Sequence, residues 1–299
     1  MPKSLTQHIV LQWVLLTSGT FNSRQMWAEL NIQTPEAKNQ LRVYLNRLVN
    51  TGVIAKTSLD GAFRRVENEK RPQDWQAADI KNTLPLQFPF GIHEHCLIYP
   101  KSIIILAGSK NAGKTAFLLQ TVALNMDKFA VDLYNSETGP EQLKMRFEPL
   151  GIPTPAPFNV YERYDNFADV VEPDRLSVID YLDLNSEVYL VGTEIDRIYQ
   201  KLTTGCAIIG LQKPPPVKVL VRGKEQFLSR DLAYGGGFTA KRAVLYISLD
   251  MGRCKLVYVK TPANPKVLPA NMTWSYDIDE HGFFANIQRY YAPKGDDGV

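Results

Sequence analysis

One short glycine-rich segment has the residue types and the spacing that binding of phosphate groups requires. The pattern G-x-x-x-x-G-K-[ST] is matched at every fixed position by Gly108, Ser109, Lys110, Asn111, Ala112, Gly113, Lys114 and Thr115. Glycine lets backbone N–H groups turn toward phosphate oxygens, the lysine reaches the β and γ phosphates, and the threonine hydroxyl binds Mg²⁺. We therefore predict that this segment, called the phosphate loop below, binds ATP and Mg²⁺.

The segments on either side of the phosphate loop read as the elements that this chemistry needs. Residues 102–107 form an apolar run that is typical of a buried strand, and residues 116–123 have a helical pattern. A helix N-terminus directs unpaired N–H groups and the positive end of its dipole at a bound anion. A chance match in an ordinary turn is the alternative, and the flanking strand and helix argue against it.

Three further polar residues follow apolar stretches that read as strands. Glu137 follows the stretch that begins at residue 130, and it could accept a proton from an attacking water molecule. Asp180 ends an apolar stretch and would contact Mg²⁺ through water, whereas Gln212 ends another and would sense the γ-phosphate. The alternatives are a surface glutamate that opens a helix, an aspartate that caps a turn, and a loop glutamine without a role.

The composition is that of an ordinary folded protein, with 299 residues, 44% hydrophobic and 22% charged residues, and a net charge of +3. Cys96, Cys206 and Cys254 are widely spaced, which argues against a disulfide framework and against a zinc site. No segment approaches the roughly 20 apolar residues that span a bilayer, and the N-terminus does not read as a signal sequence. We therefore expect a cytoplasmic protein with no membrane partner.

Patterning divides the chain into four parts. Residues 1–70 read as three helices followed by a hairpin, which resembles a winged helix-turn-helix domain. The third helix has Thr34 as its N-cap, Pro35 in its first position and an apolar face at spacings of three and four. Residues 71–84 predict a linker and residues 292–299 a flexible tail. Residues 85–291 predict an α/β domain, a mostly parallel sheet flanked by helices.

Taken in chain order, these motifs resemble those of RecA-like ATPases. The resemblance covers residues 85–275 and rests on Pro89-Phe90-Gly91, the phosphate loop, Glu137, Asp180-Tyr181-Leu182 and Gln212. It is closest to the hexameric replicative helicases of the DnaB type and their phage and plasmid relatives. It implies a RecA-like sheet, ATP hydrolysis at subunit interfaces, assembly into a hexamer or a filament, and single-stranded DNA held by loops of the core.

The resemblance also implies roles for individual residues. Glu137 would be the catalytic carboxylate, Asp180 the carboxylate associated with Mg²⁺, and Gln212 the sensor. Lys260 would reach the ATP site of a neighbouring subunit. The family's pattern has an arginine two positions later, where this chain has Pro262. That departure puts stimulation by the neighbouring subunit in doubt, unless Arg253 or Lys255 substitutes.

Two groups of residues are candidates for DNA contacts. In the N-terminal unit they are Lys38, Asn39 and Arg42 on the third helix, and Arg64 and Arg65 on the hairpin. Between Lys213 and Arg242 seven basic residues face only two acidic ones, and the candidates there are Lys218, Arg222, Lys224 and Arg230. The alternatives are a winged helix that contacts protein and a solvated, partly irregular insertion.

These observations lead to one main hypothesis of function and two alternatives. The main hypothesis is a DNA-dependent ATPase that couples ATP hydrolysis to DNA binding or remodelling in replication or in mobile-element biology. The first alternative is an assembly module that ATP switches, with little turnover and no unwinding. The second is a signalling ATPase of the KaiC type, which would phosphorylate itself and ignore DNA.

Overall fold

The computed structural model describes residues 5–17, 19–59, 61–67, 70, 72–182, 190–221 and 224–291. The predicted tail, residues 292–299, lies outside these ranges. Contacts divide the chain into two compact units, Met1–Ala78 and Asp79–Val299. The boundary falls inside the segment 71–84 that the sequence predicts as a linker. Each unit has a hydrophobic core of its own.

The first unit contains three helices and a three-stranded antiparallel sheet. Its elements are α1 (Gln7–Leu16), β1 (Thr20–Asn22), α2 (Ser23–Glu29), α3 (Pro35–Asn50), β2 (Ile54–Lys56) and β3 (Ala62–Arg65). The strand order is β1-β3-β2, so the expected hairpin of β2 and β3 is present and a short strand that the sequence did not predict, β1, pairs with it. Three helices and a hairpin appear as expected, and the winged-helix function of this unit stays a prediction.

Local sequence explains where α3 begins and ends. The Thr34 side chain accepts a hydrogen bond from the Ala37 N–H at 3.3 Å, and Gly52 has the positive φ of 72° that favours glycine beyond a helix end. The apolar face buries Leu41, Leu45 and Leu48, as the spacing predicted. For α2 we expected Ser23 as the N-cap. The cap is Asn22, because its side chain reaches the Gln25 N–H at 2.9 Å.

The second unit is the predicted α/β domain. Its elements are β4 (Ser102–Gly108), α4 (Lys114–Asn125), β5 (Val131–Asn135), α5 (Pro140–Phe147), β6 (Asn159–Glu162), β7 (Leu176–Asp180), α6 (Leu190–Lys201), β8 (Cys206–Gln212), β9 (Val217–Val221), β10 (Lys224–Leu228), α7 (Gly237–Ala240), β11 (Ala243–Asp250), β12 (Arg253–Val259), β13 (Thr273–Ile278) and β14 (Phe284–Tyr290).

Nine of these strands form one mostly parallel sheet. The order is β14-β13-β12-β11-β4-β8-β7-β5-β6. The strands from β11 to β6 in this order are parallel, and β12, β13 and β14 extend the sheet in antiparallel fashion. The fold class is therefore the one that the sequence predicted, and the carboxyl ends of the parallel strands all meet at one edge.

Alternating residues of β4 explain why helices cover both faces of the sheet. All seven residues of β4 are buried. Ile104 and Leu106 belong to the core cluster that contains α4, whereas Ile103 and Ile105 belong to the cluster that contains α6. A strand that is apolar on both sides needs a cover on both sides, which is the arrangement typical of parallel sheets.

Three other expectations have clear outcomes. Within the basic stretch, which the sequence predicted as partly irregular, β9 and β10 pair as an antiparallel hairpin. The three cysteines are free and buried, and burial raises the pKa of the Cys96 and Cys206 thiols to about 12. None of the helices among the described residues is long and apolar enough to cross a membrane.

Candidate nucleotide site

The phosphate loop joins β4 to α4 at the carboxyl edge of the sheet. β4 ends at Gly108 and α4 begins at Lys114, so the loop lies directly at a helix N-terminus. Two residues have the left-handed backbone that the turn needs, Asn111 with φ 62° and Gly113 with φ 81°. This geometry suits an anion, because orphan N–H groups and the helix dipole both point out of the loop.

Glycine is required at Gly113 for a second reason. A Cβ added there would lie 2.8 Å from Ile278 Cδ1 and 3.1 Å from Phe284 Cε1. Both contacting residues belong to the β13–β14 hairpin, which therefore packs directly against the loop. Tyr276 of the same hairpin donates its hydroxyl to the Ala112 carbonyl at 2.6 Å and to the Asp250 carbonyl at 2.8 Å.

Lys114 is held by residues from two other strand ends. It is only 8% exposed, and its Nζ donates to Gln212 Oε1 at 3.3 Å. The same Nζ lies 4.5 Å from the centre of the Tyr181 ring. The lysine of the phosphate loop and the predicted sensor glutamine are thus already in contact, so a change at one is felt at the other.

Asp180 is the buried carboxylate of the site. It is 1% exposed, it hydrogen bonds to the Thr115 side chain, and its Oδ1 has no hydrogen-bond partner among the described residues. Burial raises the pKa of Asp180 to about 6, although the charge of Lys114 and the bond from Thr115 act in the opposite direction. An unsatisfied carboxylate oxygen beside a hydroxyl is the donor set that Mg²⁺ prefers, so these two residues fit that ion.

A pocket of about 570 Å³ opens over these residues. Its lining includes five residues of the phosphate loop, the predicted residues Glu137 and Gln212, and residues from α5 and from the β13–β14 turn. Glu137 is exposed at the pocket wall, two residues beyond the end of β5. The structure therefore brings together at one edge all the same-chain residues that the sequence predicted for nucleotide chemistry.

Several residues of the pocket were missed from the sequence. Arg146 and Gln142 reach it from α5, and Ile278, His281 and Phe283 reach it from the β13–β14 turn. No motif marks these positions, because their proximity to the loop depends on where α5 and a distant hairpin pack. The positive charge of Arg146 also acts on Asp180, where it lowers the pKa.

Lys260 does not line this pocket. It is exposed beyond the end of β12, in a separate cavity of about 330 Å³ that Lys101, Lys241 and Arg242 also line. Within one chain Lys260 therefore has no access to the phosphate loop, and its predicted role requires a second copy. Pro262, at the position of the missing arginine, forms an isolated β-bridge with Cys96.

The DNA candidates of the first unit lie around a cleft of about 850 Å³ between α3 and the β2–β3 hairpin. Lys38, Asn39 and Arg42 line it together with Lys56, and no carboxylate of the described residues does. Lys38 Nζ also lies 4.8 Å from the Trp27 ring centre. The cleft is therefore a basic surface with a partly apolar wall.

The two hairpin arginines have different surroundings. Arg64 is exposed, with one hydrogen bond to the carbonyl of its neighbour. Arg65 Nη1 donates to the Leu15 carbonyl at 2.9 Å, and its Nη2 lies 3.7 Å from Glu67. The Arg65 guanidinium is thus occupied by contacts within its own unit, which corrects the expectation that it is free for DNA.

Much of the basic charge between Lys213 and Arg242 is neutralised by ion pairs. Lys213 is buried and pairs with Asp250 at 2.8 Å, and Lys241 pairs with Asp196 at 2.7 Å. Arg242 pairs with the same Asp196. These partners lie far away in sequence, so the apparent excess of positive charge was overestimated.

Among the named candidates in that stretch, Lys218 pairs with Glu225 at 2.7 Å, with both side chains exposed. Arg230 is exposed. Lys224 lies in β10 of the hairpin, and Arg222 lies outside the described residues. Only part of the predicted DNA loop is therefore a set of unpaired cations.

Comparisons with known proteins give a likeness of fold. No protein-family model and no curated protein sequence matches the chain. The crystal structure of the RadB recombinase matches 62% of this chain and 90% of its own length, with 16% identity and a TM-score of 0.41. The ATPase domain of a DnaB-type helicase matches 64% of this chain and 86% of its own length, with 13% identity and a TM-score of 0.42. Both likenesses concern the RecA-like α/β core.

Proposed function

We propose that this protein binds ATP with Mg²⁺ and hydrolyses it, and that hydrolysis is coupled to DNA. The observation that carries the proposal is the convergence of Lys114, Thr115, Asp180 and Gln212 around one pocket at the carboxyl edge of the sheet. In open α/β folds this edge is where ligands bind. The phosphate loop supplies the N–H groups for the phosphates, and Lys114 supplies a positive charge.

The same arrangement supports roles for the two carboxylates. Asp180 and Thr115 would hold Mg²⁺, which when bound would neutralise charge on the phosphates. Glu137 stands exposed at the wall of the pocket, where it would accept a proton from the attacking water. The separation of a buried carboxylate from an exposed one fits a division between metal binding and proton transfer.

DNA is the proposed partner of the first unit and of the basic hairpin. The cleft lined by Lys38, Asn39 and Arg42 lacks carboxylates among its described residues, which favours a polyanion. Exposed Lys260, which does not reach the phosphate loop of its own chain, supports a homo-oligomer in which one copy completes the site of the next. Whether the protein unwinds DNA or acts as a recombinase is a finer question than this geometry addresses.

The experiment is ATP binding and turnover by the full chain, with and without single-stranded DNA. Lys114→Ala should abolish binding of the triphosphate. Glu137→Gln should keep binding and lower kcat by about 10²-fold or more, the usual contribution of a general base. The proposal fails if the wild-type protein binds no nucleoside triphosphate in the presence of Mg²⁺.

An ATP-controlled assembly module remains the second candidate, because Pro262 forms a bridge with Cys96 where a stimulating arginine was expected. Tight ATP binding with a turnover that neither DNA nor Glu137→Gln changes would select this candidate. Electron microscopy with an ATP analogue would then show whether the nucleotide drives formation of a ring or a filament.

A further inference from the structure

Asp250, at the end of β11, accepts hydrogen bonds from three different segments of the chain. The Ser109 hydroxyl of the phosphate loop and the Ser229 hydroxyl, which follows β10, both donate to Oδ1, the latter at 2.9 Å. Lys213 Nζ donates to Oδ2 at 2.8 Å. One carboxylate therefore joins the phosphate loop, the residue after the sensor Gln212, and the base of the β9–β10 hairpin.

The charges in this network are tightly constrained. The Lys213 side chain is 0% exposed, and besides Asp250 its Nζ donates to Ser248 Oγ at 2.8 Å. Burial raises the pKa of Asp250, but the hydrogen bonds from Lys213 and Ser109 outweigh it, so the pKa lies below its ordinary value. A buried ammonium that loses its carboxylate partner becomes very costly, so the pair holds the two strand ends in register.

Backbone bonds tie the same segments together. The Lys213 N–H donates to the Gly108 carbonyl at 3.0 Å, and the Ser109 N–H donates to the Leu249 carbonyl at 3.0 Å. Ser109 is also one of the residues that line the nucleotide pocket. Its hydroxyl is thus placed between two acceptors, the Asp250 carboxylate and whatever anion occupies the loop.

We propose that Asp250 is a positioning residue that couples occupancy of the phosphate loop to the β9–β10 hairpin through Ser229. This inference rests on the proposed binding of a nucleoside triphosphate by the loop. A bound phosphate draws the Ser109 hydroxyl away from Oδ1. Ser229 is then left as the donor to that oxygen, and its charge-assisted bond to Asp250 strengthens.

The coupling has a direction and a reciprocal. Nucleotide binding orders the base of the hairpin, because Ser229 follows directly after β10. By linkage, a polyanion that orders the hairpin tightens nucleotide binding by the same factor. The basic hairpin and the nucleotide site would therefore communicate through one carboxylate without any contact between their ligands.

The test is hydrogen exchange of the β9 and β10 amides in the full chain, with and without a non-hydrolysable ATP analogue and Mg²⁺. In the wild-type protein the analogue should slow exchange by about fivefold, the factor that corresponds to one net hydrogen bond. Ser229→Ala should bind the analogue as the wild type does, within about twofold, and should lose the slowing. Ser275→Ala, in β13 and outside the network, should keep it.

A second variant removes the other hydroxyl. Ser109→Ala leaves Ser229 as the donor to Oδ1 at all times, so the hairpin amides should exchange slowly even without nucleotide and should show no further response. It also avoids Asp250→Asn, which would leave buried Lys213 unpaired and put folding at risk.

The outcomes separate the inference from the proposed function. Binding of the analogue with no change in hairpin exchange overturns the inference and leaves the ATP site intact, as does a full response in Ser229→Ala. No binding of the analogue by the wild-type protein overturns the proposed function, and the inference falls with it.

Discussion

Replacement of Asp180 by asparagine should make the nucleotide-free protein more stable while it impairs Mg–ATP binding. Asp180 is almost fully buried and its Oδ1 has no hydrogen-bond partner among the described residues. Burial raises its pKa from the ordinary 3.8 to about 6. Because the folded state prefers the protonated form, the penalty is absent below the unfolded pKa, grows as pH rises, and is complete above the folded pKa.

The size of the effect follows from the pKa difference. One pKa unit corresponds to about 1.4 kcal/mol, so at pH 8 the ionised carboxylate costs the fold roughly 3 kcal/mol. At pH 4.5 the cost falls to about 1 kcal/mol, because the carboxyl is then largely protonated in the folded protein. Asparagine carries no charge at either pH. The gain in stability of Asp180→Asn should therefore shrink by about 2 kcal/mol between pH 8 and pH 4.5.

The assay is urea unfolding of variant and wild type at both pH values, without nucleotide or magnesium. Asp132→Asn is the matched control. Asp132 is an equally buried carboxylate on the neighbouring strand, but it pairs with Arg175 at 2.7 Å and accepts from Asn159 at 2.9 Å. Its replacement should destabilise the protein by about 1–3 kcal/mol. The reasoning is wrong if Asp180→Asn fails to stabilise at pH 8, or if its gain does not decrease at pH 4.5.

Two further predictions concern the phosphate loop and the first unit. Gly113→Ala should lower both the melting temperature and the ATP affinity, because its φ of 81° and its 2.8 Å approach to Ile278 each oppose a Cβ; Gly282→Ala, with φ 82° and open space, should show only the backbone strain of about 1–3 kcal/mol. Arg42→Ala should reduce the salt dependence of DNA binding by about one counterion. Arg47→Ala, on the same helix but outside the cleft, should leave that slope unchanged, and equal slopes for both variants would exclude the cleft as the DNA surface.

The nucleotide site was predictable because its elements announce themselves locally. Gly108 to Thr115 are contiguous, and the apolar runs on either side form a strand and a helix whatever the rest of the chain does. Asp180 and Gln212 each end a buried strand, and parallel strands present their carboxyl ends at one edge. The predicted order of motifs therefore sufficed to place these side chains together.

The basic residues show where such reasoning stops. Lys213 and Arg242 look like free cations in the sequence, yet their partners Asp250 and Asp196 lie 37 and 46 residues away. Which carboxylate meets which ammonium depends on strand order and helix packing. No local pattern encodes that choice.

The sequence by itself determined the phosphate loop, the α/β class, the α3 face and the strand-end residues, because each of these depends on nearest neighbours and on side-chain periodicity. Only the tertiary structure decided that the β13–β14 hairpin closes the pocket over Gly113, and that Asp250 gathers Ser109, Lys213 and Ser229 onto one carboxylate. The physical reason is that these contacts join segments far apart in the chain, and the energy of each depends on burial and distance, which exist only once the sheet has formed.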